Sequence, residues 1–388
     1  MVILYEMPAL FPYGTPYASR VLNFSRLLTH MGHKVIVFCD YISDLSLVQS
    51  DGIAYYEGVE IHFTSTKRNL FSKATVAFRT PLRLKSYLKN NHVDALIADS
   101  GAERFLRILK ISKKYKIPIF LETCEKYHPS NWMFGQLAPR YWRFEYCWRF
   151  KYDKVNAVIA ISRFLESHFK EKGKKAIRIP TILDVEKIPF NKESKKRSLS
   201  FVFSGALGHG KDSLVEFMTA LNHVKSRLSR KIELNIYGPS KEAVREQLEK
   251  NATVMQELGD MVHYHGRIPQ NEIPLRLLEN DFGIILRPQR ESSNAGFPTK
   301  LAEYMAAGLP VLANDTGDIS LYLNITNGIL LENKSIENVE NAILAIDSMS
   351  NEELSDMRKS ARYTAEKNFD YRNYMDLLDE FLKTNVRL

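Results

Sequence analysis

The chain is short of cysteine. Its three, Cys39, Cys124 and Cys147, stand far apart in 388 residues. An odd, scattered set points away from a disulfide framework or a zinc site and towards a reducing compartment. No metal-ligand cluster of standard spacing is present, so no metal and no other cofactor is expected. Long apolar runs are missing too. None approaches the ~20 residues that cross a bilayer. Met1 leads straight into a strand-like stretch without a basic leader, so no secretory signal is expected. There is no tandem repeat and no low-complexity tract. What remains is the make-up of a soluble, cytoplasmic globular protein, 45% hydrophobic and 26% charged, with length for two domains.

Acid is scarce in the first half. Residues 1–190 carry 29 Lys and Arg against 17 Asp and Glu, a balance of +12, while the remainder sums to −3. Such asymmetry points to an anionic partner for one half, with nucleic acid, an anionic membrane and an acidic acceptor as candidates. From Lys67 to Lys89 there are seven cations and no acid, interleaved with apolar Leu70, Phe71, Val76, Phe78, Leu82, Leu84 and Leu88. An interfacial membrane contact has this make-up, and so does a solvated basic helix. A second unusual stretch, Pro139 to Lys154, alternates aromatic residues with arginine and lysine. Tyr141, Phe144 or Glu145, Trp148 and Tyr152 form the seam that a helix there buries. The exposed remainder suits a membrane or lipid-linked acceptor. Basic–aromatic interleaving also occurs in single-strand binders, but no nucleic-acid module is visible, and nucleic acid is not expected as a partner.

Strands and helices alternate along the chain. Val2 to Met7, a loop Pro8–Pro16 carrying Gly14, a helix Tyr17 to Met31 and a strand Lys34 to Asp40 make a βαβ unit, which implies a parallel sheet. Further strands are expected at Val59–Thr64, Val93–Asp99, Ile117–Thr123, Ala157–Ser162 and Ile177–Ile182. Glu125 and His128 follow the fifth of these, beyond its carboxyl end, where open α/β sheets bind ligands. The charge-dense run Lys192 to Arg197 reads as a linker, so the domains are expected at 1–190 and 191–369, with a last helix in 370–388. A second βαβ series starts at Leu199. Its first strand ends in Gly205-Ala206-Leu207-Gly208-His209-Gly210-Lys211-Asp212, ahead of a helix Leu214 to Val224. That is a phosphate-cradle arrangement, though no Walker A loop, because Asp212 and not Ser or Thr follows Lys211. Strands Glu233–Tyr237 and Val262–His265 end in Gly238 and in Gly266-Arg267, at the carboxyl ends where a nucleotide base sits. Arg287 closes the strand Phe282–Leu286.

The stretch Asn294 to Asp315 organises the second half. A loop holding Gly296 leads to Pro298, which suits a first helical turn. A helix runs over Lys300 to Ala307. Gly308 stands where a left-handed cap is wanted, Pro310 stops the helix, and a short strand follows. Lys300, Glu303 and Tyr304 share one helical face. A lysine in the first turn opposes the helix dipole, which suggests that Lys300 serves an anion. A solvated face accounts for the same spacing.

This stretch resembles the donor-site signature of retaining nucleotide-sugar glycosyltransferases of family 4, in the branch that reads F-P-T-K-x-x-E-Y. Phe297, Pro298, Thr299, Lys300, Glu303 and Tyr304 match it. Glu303 is the second Glu of the family's E-x7-E motif, whose first Glu falls at Ala295 and is absent. Gly205, Leu207 and Lys211 match the family's G-R-L-x-x-E-K-G loop, with Ala206 in place of its Arg. Gly14, and more loosely Arg20, fall where the family has a glycine loop at the donor phosphate and acceptor. The family's common His after the fifth strand falls at Cys124, which leaves Glu125 and His128 as the nearest polar replacements.

The resemblance implies a GT-B fold, two Rossmann-like doubly wound domains facing across a cleft, with the last helix in 370–388 packing back on the first domain. It implies a metal-independent transferase acting on a nucleotide-sugar, UDP or GDP undistinguished, and a glycan or lipid-linked acceptor in cell-surface polysaccharide synthesis. Lys211, Lys300, Glu125 and His128 are then the catalytic candidates. Gly14, Gly205, Gly238, Arg267, Arg287, Gly296, Thr299 and Glu303 are the donor-binding ones. A peripheral seat on the inner face of the plasma membrane is part of the expectation. A sugar-nucleotide epimerase of the same architecture and a non-catalytic basic lipid- or nucleic-acid-binding protein are the alternatives.

Overall fold

The computed structural model describes residues 1–50, 52–132, 134–190, 198–207, 212–251 and 253–386. The linker read at Lys192 to Arg197 lies outside them. The chain forms two compact units, Met1–Leu183 together with Tyr371–Leu388, and Asp184–Asp370.

In the first unit nine strands make one sheet: β1 (Val2–Phe11), β2 (Lys34–Ile42), β3 (Val48–Ser50), β4 (Ile53–Tyr56), β5 (Val59–Ser65), β6 (Ala95–Asp99), β7 (Ile119–Thr123), β8 (Ala157–Ala160) and β9 (Ala176–Arg178). Their order is β3-β4-β5-β2-β1-β6-β7-β8-β9. The pairs from β5 to β9 are parallel, as the βαβ reading requires. The short antiparallel strands β3 and β4 were not expected from the sequence; they extend the edge beyond β5. The chain winds outwards in both directions from β1, so the strand ends part between β1 and β6. Ile3, Tyr5, Val37 and Ile97 are sheet residues of the core, and Phe24, Leu27 and Leu28 of the helix Pro16–His30 pack on them. The final helix, Met375–Val386, adds Leu378 and Leu382 to the same core.

The aromatic helix runs over Pro139–Phe150. Its buried residues are Phe144, Glu145, Cys147 and Trp148, with Tyr152 just beyond, whereas Tyr141 stays partly exposed. The seam is fixed by Trp148, which stacks on His168, and by Tyr152, whose hydroxyl donates to the Ser100 carbonyl.

The second unit has six parallel strands: β10 (Ser198–Ser204), β11 (Lys231–Tyr237), β12 (Val262–Gly266), β13 (Phe282–Ile285), β14 (Val311–Asn314) and β15 (Gly328–Leu331). Their order, β12-β11-β10-β13-β14-β15, is the doubly wound dinucleotide-fold order, with its switch point between β10 and β13. Ligands of such sheets bind outside the carboxyl ends at that point.

The organising stretch folds much as read. A short helix, Glu291–Ala295, takes in the first two residues of the expected loop, Gly296 and Phe297 stay outside any helix or strand, and Pro298 caps the helix Thr299–Ala306. Gly308 has φ +69°, the left-handed turn that its position demanded. The helix is not solvated on one side, however: Lys300, Leu301, Ala302, Tyr304, Met305 and Ala306 are all buried. Tyr304 explains the aromatic position in the motif. Its hydroxyl accepts from the Ser204 amide at 2.8 Å, which ties the helix to the end of β10. Its ring needs Gly283 in β13, where an added Cβ would stand 2.2 Å from Tyr304 Cδ2. Gly283→Ala is therefore expected to destabilise the protein by about 1–3 kcal/mol, the cost of overpacking a filled core. Denaturant unfolding checks this. An unchanged midpoint would show that the ring has room to move.

Candidate functional site

Three strand ends of the second unit set the site. Gly205 follows β10 with φ +144°, and its amide donates to the Tyr237 carbonyl at the end of β11. Gly238 follows β11 with φ +108°, and its amide donates to the Gly266 carbonyl at 2.7 Å. A Cβ on Gly238 would lie 2.1 Å from the Gly205 carbonyl oxygen. No side chain fits there, so the turns pack backbone on backbone.

Lys300 reaches this turn from the first turn of its helix. A Cβ on Gly205 would meet the Lys300 ammonium at 2.9 Å, so the missing side chain is what lets the cation come close. Lys300 is only 8% exposed. Its Nζ sits 3.9 Å from the centroid of the Phe203 ring, on the face, where the ring quadrupole attracts a cation. Asp212 Oδ2 is 2.5 Å away as an ion pair, yet Nζ has no aligned hydrogen-bond acceptor among the described residues. Asp212 Oδ1 in turn lies 3.3 Å from Arg287 Nε. Arg287 donates to the Ser293 carbonyl, and its amide is held by Asn314 Oδ1 at 2.7 Å. Two cations and one carboxylate thus meet at the β10/β13 switch point.

Glu303, one turn beyond Lys300, is half-buried. Burial raises its carboxyl above the ordinary range, and Lys300 opposes that shift. Thr299 opens the helix, and Gly296 caps the short helix before it. Arg267 is exposed just past Gly266. Lys211 lies outside the described residues. Of the residues read from the sequence, the fold therefore brings together Gly205, Gly238, Arg287 and Lys300. Asp212 and Phe203 are the members that sequence reading did not place. The acid beside Lys211 was visible, but its partners are 75 and 88 positions away and meet it only through the strand order.

In the first unit, Gly14 turns with φ +105° ahead of the helix Pro16–His30, which Thr15 caps. Arg20 faces inwards. Its Nε donates to Glu122 Oε1 at 2.7 Å, and its other nitrogens to the carbonyls of Pro180 and Ile179. Tyr5 and Tyr17 also donate to the Glu122 carboxylate. Glu125 is exposed and accepts from the Tyr127 hydroxyl. His128 is exposed as well; its Nδ1 accepts from the Ser130 amide and so caps the 3-10 turn Pro129–Asn131. Cys124 is half-buried, with its thiol pushed well above its usual value by burial. Asp99, at the end of β6 and in register with Glu122, accepts from the Gly101 amide at 2.7 Å. Burial pushes its carboxyl up to about 6. Among the described residues no three His, Cys, Asp or Glu side chains are placed to hold a metal ion, and no helix is long and apolar enough to cross a membrane.

Two family models match the chain. Residues 18–187 match the model described as Glycosyltransferase Family 4, and residues 198–347 the one described as Glycosyl transferases group 1. No curated protein matches in sequence. Among solved structures, the chain is similar to HepE of Anabaena, determined with UDP and glucose, at TM-score 0.68 and 16% identity over 99% of this chain and 100% of that one. It is also similar to a glycosyltransferase of Rickettsia africae, at TM-score 0.69 and 16% identity over 100% and 98%. Sucrose-phosphate synthase of Thermosynechococcus elongatus gives TM-score 0.71 at 12% identity over 98% of both chains.

The raised Asp99 carboxyl has a testable consequence for stability. Between about pH 4 and 6 the folded state holds a proton that the unfolded state has released, so this group lowers stability as pH rises, by at most ~1.4 kcal/mol per unit. Asp99→Asn removes that slope. Urea unfolding across the window should show the variant gaining on the wild type as pH rises. A constant difference would show that Asp99 does not hold the proton.

Proposed function

Because the chain belongs to the family 4-like glycosyltransferases and has their GT-B fold, we propose that it moves a sugar with retention, and without a metal, from a nucleotide-diphosphate sugar to a glycan or lipid-linked acceptor in cell-surface polysaccharide synthesis. The epimerase and non-catalytic readings give way to the transferase. HepE, of the same fold, has been determined with UDP-glucose, which makes UDP-sugars the first donors to try.

The observation that carries the reading is the Lys300 ammonium, buried over an aromatic ring beside one carboxylate and with no aligned acceptor among the described residues. A buried cation is costly unless an anion compensates it. A diphosphate does so at a helix N-terminus. When the sugar–phosphate bond breaks, charge builds on the departing diphosphate. Lys300 and Arg287 are cations fixed in advance around that oxyanion, which is the largest single source of catalysis in such a site; Lys211, outside the described residues, is assigned to the same diphosphate from the sequence. The glycine turn at Gly205 lets backbone approach the phosphates. Glu303 accepts ribose hydroxyls. Glu125 and His128 orient the acceptor, whose proton passes to the leaving phosphate.

Lys300→Ala and Lys211→Ala should each cut transfer by about 10²-fold or more, and Glu303→Gln should weaken donor binding less than Glu303→Ala, since Gln keeps an acceptor oxygen. Steady-state kinetics with a UDP-sugar, with and without a chelator, check these outcomes together. Near-wild-type turnover in both lysine variants, or loss of activity on chelation, would contradict the mechanism.

The acceptor reading rests on the surface of the first unit. The helix Leu70–Tyr87 exposes Leu70, Phe71, Phe78 and Leu82 beside Lys67, Arg68, Lys73 and Arg79. The aromatic helix exposes Trp142, Tyr146 and Phe150. Both pack against the helix Ala102–Tyr115. Apolar groups ringed by cations fit an anionic leaflet, where each Lys or Arg contributes about 1 kcal/mol. Co-sedimentation with anionic vesicles should exceed that with neutral ones and fade as salt rises. It should drop when Lys67, Arg68, Lys73 and Arg79 are neutralised together. Equal binding to both vesicle types would contradict a membrane seat.

A further inference from the structure

We propose that Asp212 is a built-in counter-anion that sets how tightly the nucleoside diphosphate is held and how readily it leaves. The proposal rests on the donor-site reading of Lys300 and goes beyond it in assigning a role to an acid inside a phosphate site.

Asp212 is 7% exposed and touches both cations of the site, Lys300 at 2.5 Å and Arg287 at 3.3 Å. Its main chain is clamped. Gln247 Nε2 donates to the Asp212 carbonyl, Gln247 Oε1 accepts from the Leu214 amide, and the Ser213 amide donates to the Leu286 carbonyl at the end of β13. The backbone is thus fastened to a helix and to a neighbouring strand, so only the side chain is free to respond to a ligand. While no diphosphate is bound, its carboxylate compensates the buried Lys300 ammonium and also faces the half-buried Arg287. Once a diphosphate is bound, the same carboxylate is a like charge next to it in a place shielded from water, where repulsion is strong. The arrangement lowers affinity for the diphosphate while leaving the cations in position. That favours release of the nucleoside diphosphate after transfer. A residue that merely positioned Lys300 would have the opposite effect on affinity, so the sign of the change decides.

Calorimetric titration of the full chain with UDP, and with GDP in a parallel arm, tests this on the wild type, Asp212→Asn, Lys300→Ala and the double variant. Asp212→Asn keeps the shape of the side chain and the main-chain bonds to Gln247. It should bind the nucleotide about 10-fold more tightly, a gain of about 1.4 kcal/mol. Its unfolding temperature should fall without ligand and recover with it, and the double variant should bind more weakly than Asp212→Asn because it lacks the Lys300 cation. Asp212→Ala, read in the same way, guards against an effect peculiar to Asn. If neither nucleotide binds in a Lys300-dependent manner, the donor-site reading fails and the proposal with it. If binding depends on Lys300 but both Asp212 variants bind equally or more weakly, the counter-anion role is overturned while the donor site stands.

Discussion

One buried ammonium organises the second unit. Lys300 projects from the first turn of its helix, where the dipole opposes it, into the split between β10 and β13. Its surroundings are built to receive it. Gly205 leaves room for Nζ, the Phe203 ring lies beneath it, and Asp212 supplies charge. Tyr304 on the same helix holds the end of β10 through the Ser204 amide, and Gly283 makes space for that ring. Helix, strand end and glycine turn are therefore one assembly, and a change in any of them moves the cation.

The first unit has a different electrostatic centre. Glu122 is wholly buried at the end of β7 and takes Arg20, Tyr5 and Tyr17. Arg20 also binds the carbonyls of Ile179 and Pro180, just ahead of where the chain leaves this unit. Its charge is committed to the fold. Arg104 does the same between Glu6 and Asp40. Lys300 differs, because it is ion-paired with Asp212 but has no aligned acceptor among the described residues. That contrast supports the proposal that Lys300 serves a ligand.

Much of this was legible in the sequence, for physical reasons. Period and turn chemistry mark most strands within a residue or two, and Gly308 and Pro298 bracket their helix because their backbone preferences leave few alternatives. The opposition of Lys300 to the helix dipole marks it in the sequence as a lysine that does not serve its own helix. Strands β3 and β4 escaped because three- and four-residue strands carry almost no period. Asp212 escaped because its meaning depends on partners brought together by the β10–β13 neighbourhood, which no local pattern encodes. Asp99 escaped because its raised carboxyl follows from burial and not from its sequence neighbours.

On the proposed function, Lys300 holds the diphosphate of a nucleotide. The most direct measurement is a crystal structure of the chain soaked with UDP. Diphosphate oxygens are expected within hydrogen-bond distance of Lys300 Nζ, beside the Gly205 turn, with the ribose on Glu303. A nucleotide bound elsewhere, with Lys300 still facing Asp212 alone, would contradict it.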